Sequence, residues 1–202
     1  YRKTSLNNLL EFYSFSDDRL LRNSGMIMTS EIQHYFTLFN DDFSYFDTEV
    51  HDWFLNPVVT PTAVKDIREA YQLTKDVTTY NAVLDRVYKA TLDFMTVSFA
   101  GRHTGRRFLL ALQDEMVGKT PLDYNNQVLI SILHKLNFNV SDFVKHFPFA
   151  RASLIRSQRN FHLEGTKTLP VTFIYLKDDA IKIDDFPQSQ IFTYLDQKAV
   201  EL

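Results

Sequence analysis

A chain of 202 residues, 45% hydrophobic and 14% aromatic, is long enough for one ordinary core or for two half-domains sharing one. Its formal charge of -3 excludes a general affinity for polyanions, which needs clustered Lys and Arg to displace counterions, so nucleic acid is not expected as a direct ligand. The absence of cysteine excludes disulfides, thiolate nucleophiles and zinc-thiolate sites.

The run LLEFYSF, residues 9–15, reads as a buried strand that stops at Ser16, Asp17, Asp18 and Arg19. A loop follows to about Thr29. SEIQHYFTLF places Ile32, Tyr35, Phe36 and Phe39 at helical spacing and predicts a helix. SYFDTEVHDW alternates Tyr45, Asp47 and Glu49 with Phe46, Thr48 and Val50 and predicts a strand. Thr60 before Pro61 is an N-cap followed by proline at the first helical position, opening TAVKDIREAYQLT. From Thr78 to Phe99 the apolar residues again fall on helical spacing, with Gly101 as the expected C-cap. GRRFLLALQDEMVG, PLDYNNQVLISILHKLN, VSDFVKHF and FARASLIRSQRNFHLEG complete five or six helices with short joints. LPVTFIYL and AIKI then return to strand, and a closing helix is expected from Pro187.

This order divides the chain into a sheet-bearing part, residues 1–56 and 166–202, and a helical part, residues 57–165. Charge follows the division: the sheet-bearing part holds 15 acids and 8 bases, the helical part 10 acids and 14 bases. Such a contrast reads either as two solvated faces or as an interaction surface.

Constellations that carry chemistry are weak. His34, His51, His103, His134, His146 and His162 lack metal-ligand spacing and read as surface or half-buried histidines. The pairs Asp41/Asp42, Asp178/Asp179 and Asp184/Asp185 read as solvated turns, because adjacent carboxylates splay apart and do not face each other across a substrate. Five glycines leave no phosphate-cradling loop. Arg102, Arg106 and Arg107 gather at the start of a helix, the end its dipole disfavours for cations; they read as a basic solvent face or an anion or partner contact. The 18 phenylalanines and 10 tyrosines must largely pack between sheet and helices, while Phe147 and Phe149 around Pro148 are candidates for an exposed protein anchor.

Strand-helix-strand, helical block, strand-strand-helix is the order of a thioredoxin-like fold with a helical domain inserted in its middle. LLEFYSF resembles the first core strand of the DsbA family of thiol-disulfide oxidoreductases, and Thr168, Leu169, Pro170, Val171 and Thr172 resemble that family's cis-proline turn. The stretches AGRHTGRRFLLALQDEM, LISILHKLNFNVSDFVKHF and FARASLIRSQRNFHLEGTKTLPVTFIY resemble the YjbH/SpxH branch, over roughly residues 88–176. Members of that cytoplasmic branch, in low-GC Gram-positive bacteria, present the regulator Spx to the ClpXP protease.

The resemblance implies a DsbA-like α/β fold and an Spx-type regulator and ClpXP as protein partners, in the cytoplasm. No apolar run approaches the roughly 20 residues that span a bilayer, and YRKTSLNNLL lacks a signal-peptide core, which agrees with that location. The family's first strand delivers a Cys-x-x-Cys pair to the next helix. At that place this chain has Ser16, Asp17, Asp18, Arg19 and, further on, Ser24, none of which can exchange a disulfide, so oxidoreductase activity is expected to be absent. Asp17 and Asp18 read as strand-ending turn residues or as part of a groove with Leu169 and Pro170, where a peptide pairs by main chain alone. No cofactor or metal is expected. The alternatives are a glutathione-binding relative of the kappa-type transferases and isomerases, with Ser16 or Ser24 as the thiolate's hydrogen-bond donor, or a dithiol-disulfide isomerase family member that is an inactive scaffold without thiol activity.

Overall fold

The computed structural model describes residues 31–43, 52–175 and 180–184. Four strands form one sheet in the order β2-β1-β3-β4: β1 is Glu31–Phe36, β2 Asp52–Pro57, β3 Val171–Tyr175 and β4 Ala180–Asp184. β1 runs parallel to β2, with Ile32 opposite Trp53, and antiparallel to β3, with His34 opposite Thr172. β3 and β4 are antiparallel.

The helix expected over SEIQHYFTLF is therefore a strand. Glu31 and Gln33 are half-buried and the other four positions buried, and Ile32, Tyr35 and Phe36 happen to satisfy a helical spacing as well. Phe39 lies beyond the strand, in a turn with φ 70°, the left-handed region that a bulky residue seldom adopts. Of the strand expected over SYFDTEVHDW, residues 44–51 lie outside the described residues; the described strand is Asp52–Pro57.

Between β2 and β3 come five helices: α1 (Pro61–Ala70), α2 (Val77–Ser98), α3 (Arg102–Glu115), α4 (Asn126–Lys135) and α5 (Val140–Leu163), with a single 3-10 turn at Pro121–Asp123. Their starts are chemically marked. Thr60 accepts the Ala63 amide, Asp76 that of Thr79, and Asn125 those of Gln127 and Val128. Gly101 does not cap α2, whose last residue leads into Phe99; it opens α3 instead, at φ 116°, where only glycine sits without strain. The two helices expected around Pro148 are one, with Pro148 inside α5. Proline lacks the N–H that would bond the carbonyl of Val144, so the helix loses one rung there without ending.

The sheet is covered on both faces. On one, Ile32, Phe36, Trp53 and Ile174 pack with Phe94 of α2, Phe108, Leu109 and Leu112 of α3 and the buried side of α4. On the other, Tyr35, Val58, Val171 and Phe173 meet Phe161 of α5. α5 is also tied to the β2 edge by hydrogen bonds from Ser157 Oγ to the Pro57 carbonyl and from Gln158 to that of Val59. Among the described residues no helix is long and apolar enough to cross a membrane.

Candidate functional site

β1 leaves the sheet at Phe36 and turns at once into Thr37, Leu38, Phe39, Asn40, Asp41, Asp42 and Phe43. This loop is buttressed from three sides. Thr37 Oγ1 donates to the Val58 carbonyl at 2.8 Å, beside β2. From α3, Gln113 donates to Asp42 Oδ1 at 3.2 Å and accepts the Phe43 amide at 3.0 Å. From the sheet beneath, His34 Nε2 lies 2.8 Å from Asp41 Oδ2, and a carboxylate only accepts, so Nε2 carries the proton of that bond.

His34 is 1% exposed and the Asp41 side chain 6%. The other ring nitrogen, Nδ1, is bonded to Thr172 Oγ1 at 2.9 Å on β3, and the ring stacks on Phe36 with centroids 5.5 Å apart. Two expectations are corrected here. His34 is a fully buried histidine and not a surface one, and Asp41 is not a solvated turn residue but the end of a Thr172–His34–Asp41 chain linking β3, β1 and the loop. The chain ties the loop to the sheet, and Asp41 at its outer end also lines the cavity described below.

Leu169 and Pro170 immediately precede β3, and the pairing of Tyr35 with Val171 brings them alongside the end of β1, where the loop begins. The Leu169–Pro170 peptide is cis. Leu169 is half-buried against Tyr35, Val58 and Phe161, and its backbone groups make no hydrogen bond with other described residues. Thr168 next to it donates to Asp184 on β4. On the same face of the sheet Tyr35 has its phenol pushed up to about 12, first by burial and then by the charges of Glu164 and Glu31. Tyr175, which donates to Glu164, is raised for the same leading reason, so neither supplies a phenolate at neutral pH.

A cavity of about 390 Å³ opens against the loop, between Asp41, Asp42 and Phe43, Tyr71 at the end of α1, and Leu112 and Gln113 of α3. No three His, Asp or Glu among the described residues converge to hold a metal ion. Arg102, of the expected arginine cluster, lays its guanidinium over the Phe54 ring at 4.7 Å.

Of the residues singled out from the sequence, Leu169 and Pro170 stand beside the loop, whereas Ser16, Asp17, Asp18, Arg19 and Ser24 lie outside the described residues, as do LLEFYSF and the closing helix from Pro187. The residues missed are Thr37 to Phe43 and His34. The signal that could have found them is the sequence Asn40-Asp41-Asp42 directly after an aromatic run, the same break that drew attention to Ser16 to Arg19.

Comparison with known proteins agrees with this geometry. A family model described as Thioredoxin matches residues 43–193. A search of curated proteins finds no match. Among solved structures, a candidate protein disulfide isomerase from Nitrosomonas europaea aligns with TM-score 0.57 at 11% identity, covering 84% of this chain and 98% of its own. The cytosolic disulfide reductase DsbM from Pseudomonas aeruginosa aligns with TM-score 0.56 at 12% identity, covering 85% and 100%. Its form with GSH aligns with TM-score 0.53 at 14% identity over the same shares.

Proposed function

We propose, for a chain that belongs to the thioredoxin family, that it acts by binding and not by redox chemistry. The observation that carries this reading is the loop after the central strand. It follows the strand that pairs with the one after the cis Leu169–Pro170 peptide, reads Thr-Leu-Phe-Asn-Asp-Asp-Phe, and is pinned by His34 and Gln113. Carboxylates and amides neither form nor exchange disulfides. What the architecture retains is a firmly held loop beside main-chain groups of Leu169 that an extended peptide can pair with.

By resemblance to the YjbH/SpxH branch, the bound protein is an Spx-type regulator and the outcome its delivery to ClpXP. A reconstituted degradation assay tests this. The chain should bind the regulator and speed its proteolysis; no binding, or binding with an unchanged rate, refutes the adaptor role. In an insulin-reduction assay the chain should show no turnover, and measurable turnover would refute the binding-only reading.

A second reading, glutathione binding, is favoured by the backbone of Leu169, which makes no hydrogen bond with other described residues, together with a solved neighbour that holds GSH. Ser16 and Ser24, the donors it would draw on, lie outside the described residues. Calorimetry at millimolar reduced glutathione decides it, since the absence of heat removes that reading.

A further inference from the structure

α5 carries two lines of side chains. Ala150, Leu154, Ser157 and Phe161 are buried. Roughly a quarter-turn away, at helical spacing, Val140, Val144, Phe147, Arg151 and Ile155 form a second line. Its apolar members are open to solvent: Val140 is 53% exposed, Val144 65%, Phe147 44% and Ile155 57%. Isolated exposed apolar residues mean little, but four in register along one helix make a continuous strip of about 22 Å, fifteen residue rises of roughly 1.5 Å.

The charge on this strip has one sign. Arg151 sits within it, between Phe147 and Ile155, and Arg159 continues it one turn beyond Ile155. The helix's one acidic residue, Asp142, belongs to a different face by its spacing.

We infer that this strip docks an acidic amphipathic helix of another protein. The inference rests on the reading that the chain works through protein contacts, and it assigns one contact to an element that gives no residue to the loop after β1. Four apolar side chains spaced over four turns suit a helical partner, whose own apolar seam would pack between them. A guanidinium in the middle of the seam asks for a facing carboxylate, and Arg159 at its end asks for another. An anionic membrane surface fits less well. Insertion needs a broad apolar face with several bulky side chains, and here the strip is narrow, has Phe147 as its one aromatic residue and is interrupted by Arg151.

The test uses the whole chain and two synthetic three-heptad helical peptides with the same leucine seam, one flanked by Glu and one by Lys, followed by fluorescence anisotropy. The Glu peptide should bind roughly ten-fold or more tightly than the Lys peptide. Val144→Asp should weaken the Glu peptide by roughly ten-fold, and Arg151→Glu should reverse the preference. Both positions are exposed, and an unchanged melting temperature verifies that the fold is kept. Equal affinity for the two peptides, a preference unmoved by Arg151→Glu, binding to phosphatidylserine vesicles in place of the peptide, or self-association abolished by Val144→Asp would each overturn the inference. The regulator assay is run on the same variants: if regulator binding survives Val144→Asp while the peptides show no preference, the strip is refuted and the binding function stands.

Discussion

Replacing His34 by phenylalanine probes the link that holds the loop. The ring volume and the stack on Phe36 are kept, so what changes is the pair of hydrogen bonds to Asp41 and Thr172. A hydrogen bond to a charged group is worth roughly 1.5–3 kcal/mol, and a buried hydroxyl left unsatisfied costs roughly 1–3 kcal/mol. Asp41 keeps its bond from the Asp42 amide and can swing towards water with the loop, which trims the sum. His34→Phe should therefore destabilise the fold by about 3 kcal/mol, a drop in melting temperature of roughly 6–12 °C for a chain of this size. Asp41→Asn and the double variant complete a cycle measured by urea unfolding, with an expected interaction energy of at least about 1 kcal/mol. Amide exchange should show the lost protection concentrated in Leu38 to Phe43. If the two substitutions add to within about 0.5 kcal/mol, the histidine does not hold the loop through Asp41, and the account of the site fails.

Three further outcomes follow from the helices. Asp93, 2% exposed, accepts from Lys89 at 2.6 Å and Tyr124 at 2.9 Å, yet burial outweighs these partners and raises its carboxyl above the ordinary value. The folded state thus holds that proton more tightly than the unfolded chain, so the contribution of Asp93 is greatest in acid and declines as pH rises through the folded value. Urea midpoints of Asp93→Asn should accordingly gain on those of the parent from acid towards neutral pH, and a parallel pair of curves would refute the assignment. Gly105→Ala would place a methyl 2.6 Å from Ser98 Oγ between α3 and α2, and should destabilise by about 1–2 kcal/mol despite alanine's better helix propensity. Combining it with Ser98→Ala should recover most of that loss, and a thermal melt showing no recovery would locate the clash elsewhere. Thr60→Ala removes the acceptor for the Ala63 amide and should cost about 1 kcal/mol, read from the denaturant midpoint, with no loss meaning that α1 is capped by other means.

The helices were legible because their signals are local. Thr60-Pro61 marks its own turn, and the apolar line from Val83 to Phe99 has one face to bury. β1 was not, because its alternation lasts only from Glu31 to His34 before Tyr35 and Phe36 are buried side by side, leaving Ile32, Tyr35 and Phe36 to imitate a helix. Misreading β1 hid the loop as well: with a helix expected up to Phe39, Asp41 and Asp42 looked like its solvated end. Leu169 and Pro170 were named through the resemblance to the DsbA family's cis-proline turn, not from spacing. The bond between His34 and Thr172 spans 138 positions and leaves no trace in spacing. Pro148 misled in the opposite direction, since its missing N–H reads as a break although the flanking turns carry on.

That proline also partitions α5 energetically. Every buried residue of the helix, from Ala150 to Phe161, follows it, and none precedes it. The first two turns thus hang from the rest by a ladder short of one bond and by the half-buried Phe143, which packs against the core, so less holds them than the turns that follow. Whatever seats itself on Val140 and Val144 would meet a segment held less firmly than the rest of the helix, and could gain in adaptability what it forgoes in rigidity.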